Sequence, residues 1–239
     1  MAEEGAAYQL VTAEGETLTA SRGFTGKGKA TYPNGDTYEG TFARGMKHEN
    51  GTYTYANGDK YEGGYWMNKR AGMGRLSFAK GGFYHGNFEE GKRHGEGTEK
   101  YANNDVYTGS WVSGKKHGRG IYAFAVTRFK YVGEWEQGQM KKGRWVWKNG
   151  AQYVGTFKDN QPDSIGDWLF PNGTLLRGKY TPRVVPLDRL EQLHQPGPPK
   201  PSEDAEEGEA PPPTDWKPKT KKVSLSWKTE AVSALNLPP

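Results

Sequence analysis

Glycine or aromatic residues alternate with polar residues over most of the chain, and this alternation predicts β-strands. Residues 38–42 read Tyr-Glu-Gly-Thr-Phe, and residues 51–55 read Gly-Thr-Tyr-Thr-Tyr. A period of two places the aromatic side chains on one face of a sheet and the polar side chains on the other. Each sequence unit therefore predicts two strands.

One element, Tyr-x-Gly-x-aromatic, recurs at an almost fixed period. Its copies begin at Tyr38, Tyr61, Tyr84, Tyr107, Tyr131 and Tyr153, with a degenerate copy at Leu176. The steps between them are 23, 23, 23, 24, 22 and 23 residues. Such a period is the signature of a linear repeat architecture, so we predict about seven tandem units.

The connections between strands carry their own signals. Asn-Gly between alternating runs favours a type I′ hairpin turn with positive φ at both residues. This turn is predicted at Asn34-Gly35, Asn57-Gly58, Asn103-Asn104, Asn149-Gly150 and Asn172-Gly173, with Lys80-Gly81 in the same role. The other connection, exemplified by residues 91–95, is basic and is predicted to be a longer, solvent-facing loop. The prediction is an all-β fold, a single-layer, curved and twisted antiparallel meander.

Aromatic residues dominate the apolar content of this region. Residues 15–180 contain 28 aromatic residues against 13 Leu, Ile and Val, so rings must form most of the core. The predicted core aromatics are the residues that end each Tyr-x-Gly-x-aromatic element: Phe42, Tyr65, Phe88, Trp111, Trp135 and Phe157. A contiguous aromatic stripe on a one-layer sheet is expected to be covered by a partner, a second copy or the tail.

The predicted organisation has four parts. An N-terminal extension covers residues 1–14 and the repeat domain covers residues 15–180, with its first and last repeats partial. Residues 181–194 are predicted to cap the last strand, with a short helix from residue 184. Residues 195–239 form a Pro-rich tail that is expected to be disordered or extended when free.

The end of the tail is predicted to be a docking peptide. Residues 223–227 alternate like an edge strand, and residues 229–237 favour one or two helical turns. Trp216, Leu225 and Trp227 are its candidate partner-binding residues, with Trp227 expected to insert into a neighbouring protein. The alternative is a disordered tail with two incidental tryptophans.

Basic residues give the repeat domain its charge. Residues 15–180 contain 25 Lys and Arg against 16 Asp and Glu, which favours acidic proteins or anionic lipid as partners. Nucleic acid is disfavoured, because base stacking would need aromatic rings that are free of their packing role. The recurrent basic residues of the predicted loops are Arg44, Lys47, Lys69, Arg70, Lys92, Arg93, Lys115, Lys116, Lys141 and Lys142. Lys92, Arg93, Lys115 and Lys116 are candidates for partner binding, although a solvated edge is an equally simple interpretation.

Catalytic and metal chemistry find little support in the sequence. There is no cysteine, and His48, His94 and His117 share one repeat position. Equivalent residues of successive repeats are expected about 10 Å apart, whereas two zinc ligands lie within about 4 Å. We predict no enzyme, no cofactor and no metal. No run of about 18 apolar residues exists, so we expect no membrane-spanning segment. The acidic start, residues 1–4, lacks the charged-then-apolar order of a signal peptide, so we expect no secretion and the cytoplasm as location.

The pattern Tyr-x-Gly-x-[Phe/Trp]-x-x-Gly-x-x-x-Gly-x-Gly resembles the MORN repeat. More narrowly, residues 33–40 (Pro-Asn-Gly-Asp-Thr-Tyr-Glu-Gly), residues 103–111 and residues 130–135 are similar to consecutive repeats of the radial spoke head protein 1 family. This resemblance implies a non-enzymatic subunit of the radial spoke head in the axoneme of motile cilia and flagella. It also implies other spoke head proteins as partners, pairing with a second copy or a sister MORN subunit, and transient contact with central-pair projections.

The MORN repeat also occurs in junctional membrane tethers and lipid kinases, so the resemblance leaves a second role open. The alternative is a peripheral membrane adaptor that binds anionic phospholipid through the basic loop edge. Two sites depart from the repeat pattern: Glu49-Asn50 replaces Gly-x, and residues 141–144 shorten the fifth repeat. Both departures predict a locally looser or bent sheet.

Overall fold

The computed structural model describes residues 7–184 and 223–234, and all regular elements in those residues are β-strands. The chain divides into two compact units, Met1–Gly114 and Lys115–Pro239. In the described residues of each unit the strand pairs are antiparallel, and with one exception near the N-terminus they join strands that follow one another in the chain. The prediction of an all-β antiparallel meander is therefore confirmed.

The first unit contains ten strands in its described residues, 7–114. They are β1 (Gln9–Thr12), β2 (Thr17–Leu18), β3 (Gly26–Thr31), β4 (Thr37–Ala43), β5 (Met46–Thr54), β6 (Lys60–Trp66), β7 (Lys69–Ser77), β8 (Phe83–Glu89), β9 (Lys92–Lys100) and β10 (Val106–Val112). From β3 to β10 each strand pairs with the next, and β1 lies between β2 and β3. β1 thus extends the sheet with residues that the sequence assigned to the N-terminal extension.

The second unit contains seven strands in the described residues. They are β11 (Lys115–Ala123), β12 (Lys130–Glu136), β13 (Gln139–Val146), β14 (Gln152–Lys158), β15 (Gln161–Leu169), β16 (Thr174–Val184) and β17 (Val223–Ala234). β17 pairs with β16, so residues 229–234 form a strand where the sequence predicted helical turns. The predicted helix from residue 184 lies outside the described residues except for its first position, which ends β16. Trp216 also lies outside them.

The sequence predicted tight turns at the Asn-Gly pairs and longer loops at the basic segments, and the structure shows the reverse. Arg44 and Gly45 alone join β4 to β5, and both have positive φ, 52° and 82°, as a type I′ turn requires. The connection from β3 to β4 is longer, residues 32–36, and only Gly35 of its Asn-Gly pair has positive φ. The type I′ prediction for Asn-Gly was therefore wrong, because Asn34 keeps an ordinary φ and uses its side chain instead.

The basic segment predicted as a long loop is strand in the structure. Lys92, Arg93 and His94 begin β9, directly after the two-residue turn at Glu90 and Gly91. The prediction of a loop at residues 91–95 was wrong, because residues 92–95 belong to β9 and the extra residues of that strand form a β-bulge. β9 carries two extra residues between the pairs Gly86↔Gly97 and Phe88↔Arg93.

The bulge explains the two departures from the repeat pattern. Gly95 has a φ of 61° within the bulge of β9, and Glu49 has a φ of 54° at the equivalent position of β5. Glu49 thus adopts a left-handed conformation that costs a non-glycine residue free energy. In the shortened fifth repeat, β13 has one extra residue opposite Glu134 and Trp135 instead of two.

An aspartate ties successive longer turns together. The Asn34 side-chain oxygen accepts the amide of Asp36 at 3.1 Å, and the Asp36 carboxylate accepts the amide of Ala56, in the next such turn, at 2.8 Å. Asp59 accepts the amide of Ala79 at the same distance. Each aspartate therefore satisfies a backbone donor one repeat ahead, which links neighbouring repeats at one end of the strands.

Candidate interaction surfaces

Tyrosine rings that lie across paired glycines build one face of the sheet. Gly40 and Gly51 are directly opposite in β4 and β5, and the Tyr38 ring covers both. A Cβ added at Gly40 would lie 2.6 Å from the Tyr38 hydroxyl oxygen and from the Cα of Gly51. The Tyr38 hydroxyl donates a hydrogen bond to the carbonyl of Thr41 at 2.9 Å. We call this surface the aromatic face.

The same arrangement repeats along the first unit. Hydrogen bonds from tyrosine hydroxyl to the carbonyl three residues later are Tyr61 to Gly64 at 2.9 Å, Tyr84 to Asn87 at 3.0 Å and Tyr107 to Ser110 at 3.1 Å. All four tyrosines are fully buried. Burial raises the pKa of Tyr61 to about 12, although the nearby Arg70 lowers it in part.

Each predicted core aromatic is buried beside the tyrosine that begins its repeat. The exposed fractions are 1% for Phe42, 5% for Tyr65, 4% for Phe88, 2% for Trp111, 4% for Trp135 and 4% for Phe157. Phe88 packs edge-to-face on Tyr61 and on Tyr84, with centroid distances of 5.0 and 5.1 Å. Edge-to-face geometry is favourable for aromatic pairs, so each ring joins one repeat to the next.

A column of cations also lies on the aromatic face, and sequence reasoning missed it. Because of the bulge, the second residue of each long strand stands opposite a core ring, as Arg70 does opposite Tyr65 and Arg93 opposite Phe88. The closest cation–ring distances are 4.4 Å for Lys47 over Tyr53, 5.4 Å for Arg70 over Phe88, 4.6 Å for Arg93 over Trp111 and 5.2 Å for Lys116 over Tyr122. Cations at these distances are attracted to the ring faces.

Arg93 has an additional partner within the aromatic face. Its guanidinium donates to the Glu99 carboxylate at 2.7 Å, and the two side chains are only 12% and 4% exposed. At the position of Glu99 the other repeats place Tyr53, Leu76 and Tyr122. This buried ion pair therefore distinguishes the third repeat from its neighbours.

Of the four basic residues predicted to bind a partner, only two are exposed in the structure. Lys92 and Lys115 are exposed, whereas Arg93 is largely covered and Lys116 is buried. The prediction that all four line an exposed loop edge was wrong. They occupy consecutive positions of a strand, so the side chains of Lys92 and Lys115 lie on one face of the sheet and those of Arg93 and Lys116 lie on the other. Lys69 is exposed but forms an ion pair with Glu90.

Three apolar residues of the β6–β7 hairpin are exposed. Trp66, Met67 and Met73 are 54%, 52% and 55% exposed. Trp66 ends β6, Met67 lies in the following turn, and Met73 lies in β7. Trp66 contacts the His48 ring, with centroids 4.6 Å apart. We call these three residues the Trp66 patch.

The Trp66 patch is specific to one repeat. At the same three positions the preceding repeat has Ala43, Arg44 and Asn50, and the following repeat has Glu89, Glu90 and Glu96. Comparing the repeats position by position would have found this patch, because three coincident apolar substitutions stand out on a polar face. Exposed Trp and Met are typical of protein interfaces.

The described residues were compared with the patterns of metal sites and membrane-spanning helices. In that part of the chain no group of three or more His, Asp or Glu is arranged to hold a metal ion. Over the same residues, no helix is long and apolar enough to cross a membrane.

The fold defines a class of tandem-repeat proteins, in which short antiparallel hairpins repeat about every 23 residues and share aromatic side chains with their neighbours. The family model for the MORN repeat matches residues 21–37, 38–60, 61–83, 84–106, 107–126, 131–152 and 153–175. These matches cover more than half of the chain, which therefore belongs to the MORN-repeat family. No curated protein matches its sequence.

Solved structures similar to the chain include domains of centriolar proteins. The TCP domain of Drosophila melanogaster SAS-4 (dCPAP), in complex with a Proline Rich Motif of Ana2 (dSTIL), shares 15% identity at a TM-score of 0.42, covering 74% of this chain and 92% of that chain. The wild-type TCP10 domain of Danio rerio CPAP shares 11% identity at a TM-score of 0.33, covering 71% and 92%. Similarity at this level carries no argument about function.

Proposed function

We propose that this chain is a non-catalytic scaffold subunit of the radial spoke head in motile cilia and flagella. Its MORN repeats support an interaction scaffold, since each unit presents polar side chains on a backbone fixed by its neighbours. The narrower assignment is supported by the similarity of residues 33–40, 103–111 and 130–135 to the radial spoke head protein 1 family.

The Trp66 patch is the observation that carries the scaffold role. Three large apolar side chains of one hairpin, β6–β7, are more than half exposed. Trp66 lies in the same strand as Tyr61 and Tyr65, which are buried and fix the backbone beside it. A rigid apolar anchor surrounded by polar residues is the usual centre of a protein–protein interface.

The membrane adaptor is the weaker candidate on geometric grounds. A lipid-binding edge needs its cations together at the surface, because each adds about 1 kcal/mol only near the membrane. Lys47, Arg70, Arg93 and Lys116 instead lie over aromatic rings. Lys69 and Lys141 are exposed but already paired with acidic residues.

The test is localisation of the tagged chain in a motile ciliated cell, followed by detergent extraction. We expect it to stay in demembranated axonemes, between the outer doublets and the central pair. The double variant Trp66→Ser and Met73→Gln is expected to be retained less, whereas Val126→Ser, at an 88% exposed residue outside the patch, is expected to behave as wild type. Loss of the wild-type chain with the membrane fraction would refute the spoke head assignment and favour the adaptor.

A further inference from the structure

The face of the second unit that lies opposite its buried tyrosines carries a row of branched aliphatic residues. Ile121 in β11 stands directly opposite Val132 in β12, and Arg144 in β13 stands directly opposite both Val132 and Val154 in β14. Directly paired residues of antiparallel strands share a face, so the four side chains lie in one row across four strands. We call these four residues the Ile121 row.

The Ile121 row is accessible but shallow. Ile121 is 45% exposed and Arg144 is exposed, whereas Val132 and Val154 are half-buried. Neighbouring strands lie about 4.8 Å apart, so the row extends over about 14 Å from Ile121 to Val154. It is therefore a strip across the strands that a partner can cover along its length.

The row distinguishes the second unit from the repeats before it. At the two positions of the Ile121–Val132 pair, the two preceding repeats hold polar residues: Arg75 opposite His85 and Thr98 opposite Thr108. Strand formation does not require the aliphatic pair, because threonine is also favoured in strands. The change to aliphatic side chains at both positions therefore calls for a role outside the sheet itself.

Exposed cations lie within and beside the row. They are Arg119, Lys130, Lys142 and Arg144. Lys130 flanks the row on one side, and Arg119 and Lys142 flank it on the other, since their partners in the register are Ala123 and Glu134. Within the described residues none of the four forms an ion pair. The strip is thus apolar along its centre and positively charged along both sides.

We propose that the Ile121 row binds an amphipathic, acidic α-helix of another protein, laid across β11 to β14. A helix is the element that covers the face of a sheet, whereas an extended peptide adds at a sheet edge. Side chains three or four residues apart on a helix lie about 5–6 Å from each other, close to the spacing of the strands. Carboxylates on both sides of the apolar stripe then face Lys130 and Lys142. This inference does not depend on which assembly the chain belongs to.

A protein helix fits this surface better than a membrane does. Binding at a bilayer surface uses apolar side chains that reach into the acyl boundary, commonly Trp, Phe or Leu. Val132 and Val154 are half-buried between their neighbours, and Arg144 lies between them. The row therefore has no projecting anchor at its centre, but it can receive the side chains of a partner.

The test uses the full chain and three labelled helical peptides of about 20 residues, long enough to form a helix and to cross the row. The first peptide has a leucine stripe flanked by glutamate, the second has lysine in place of every glutamate, and the third has the composition of the first with the leucines scattered. Fluorescence anisotropy measures binding at low salt. We expect the first peptide to bind at least about tenfold more tightly than the other two, because it alone matches both the apolar and the charged parts of the surface.

Two variants of the chain test the two parts separately. Ile121→Thr with Val132→Thr reproduces the threonine pair of the preceding repeat and should weaken binding of the first peptide by about fivefold to thirtyfold, through lost apolar contact. Lys130→Glu with Arg144→Glu should weaken it by at least about fivefold and strengthen binding of the lysine peptide. Neither of these two cations stands opposite an acidic residue, so the sheet gains no like-charge pair.

The matched control is Lys27→Glu with Lys80→Glu, at two exposed sites of the first unit, which changes the net charge equally. We expect this control to bind the first peptide as wild type does, and circular dichroism checks that each variant keeps its strands. Equal binding of the three peptides, indifference to Ile121→Thr with Val132→Thr, or an equal loss in the control would overturn the proposal. Binding of phosphatidylserine vesicles through Lys130 and Arg144, with no binding of the first peptide, would also overturn it, since the occupant would then be a membrane.

Discussion

Tyr38, Tyr61 and Tyr84 of the aromatic face each pack over a pair of glycines. A Cβ at Gly40 would collide with the Tyr38 hydroxyl and with the facing backbone. The tyrosine hydroxyl reaches across the glycine pair to a carbonyl three residues on, so a phenylalanine would leave that acceptor without the bond. The repeat motif Tyr-x-Gly is therefore a packing requirement at the level of single residues.

At the residue scale, Arg93 and Lys47 occupy equivalent positions and should respond differently to the same change. Arg93→Met leaves Glu99 buried without its partner, and breaking a buried ion pair costs about 3–5 kcal/mol. Lys47→Met should cost much less, because Met140 already occupies the equivalent position in the fifth repeat and is fully buried. Urea unfolding of the two variants measures the difference.

The double variant Arg93→Met and Glu99→Leu is the control for this pair. It reproduces the leucine that the second repeat has at Leu76, so most of the lost stability should return. If Arg93→Met alone were no more destabilising than Lys47→Met, the ion pair would not be buried as described.

Alkaline pH should weaken the fold through its buried tyrosines. Burial raises the pKa of Tyr61 from 10.0 to about 12, so its neutral phenol contributes stability that is fully present below about pH 10. That contribution is lost as the pH rises from 10 to 12. Tyr61→Phe should therefore lose less stability than wild type between pH 9 and pH 11 in urea unfolding, and an equal loss would argue against a raised pKa.

At the scale of elements, hydrophobic period predicts strands well but predicts their connections poorly. The alternation around Tyr38 and Phe42 placed the strands and their aromatic face on residues that are buried. The positions of the tight turns and the longer connections were predicted the wrong way round. Asn-Gly fits several turn types, and Arg44-Gly45 carries no comparable sequence signal for the tight turn that it forms.

The cation column was also beyond local sequence reasoning. Arg93 lies opposite Phe88 only because β9 contains two extra residues at its bulge. Alternation of side chains counted backwards from Gly97 does not reveal the two extra residues of the bulge. The basic residues 92 and 93 were therefore predicted to lie in a solvent-exposed loop. The role of Asp36 was missed for a related reason, since its partner Ala56 lies 20 residues away.

The aspartate links between turns give the prediction that belongs to this scale. Asp36 accepts hydrogen bonds from the Tyr53 hydroxyl at 2.6 Å and from the Ala56 amide at 2.8 Å. Asp59 also accepts a hydrogen bond from the Ala79 amide. The residue equivalent to Tyr53 in this repeat is Leu76, which cannot donate a second hydrogen bond to Asp59. Asp36→Ala should therefore destabilise the chain by about 1–3 kcal/mol and Asp59→Ala by less, as measured by thermal or urea unfolding.

Acid should remove the contribution of Asp36. Burial would raise the pKa of this carboxyl, but hydrogen bonds from Tyr53, Ala56 and Asn34 hold it below its ordinary value of 3.8. Its stabilising effect is thus present above about pH 4 and is lost as the pH falls below that value. A wild-type chain and an Asp36→Ala chain should converge in stability on acidification, and a constant difference would contradict this account.

At the scale of the whole molecule, charge and repeat number set what the chain can assemble with. Basic residues exceed acidic ones by nine in residues 15–180, and part of that excess is used inside the aromatic face rather than at the surface. The Trp66 patch in the first unit is a surface that we propose for a protein partner.

The most direct measurement of the proposed role is electron cryo-tomography of axonemes from motile cells that lack this chain. We expect that averaged spokes lose density at the head and that re-expression of the chain restores it. The Trp66→Ser and Met73→Gln variant should restore it incompletely. Spoke heads of full density in cells without the chain would contradict the account.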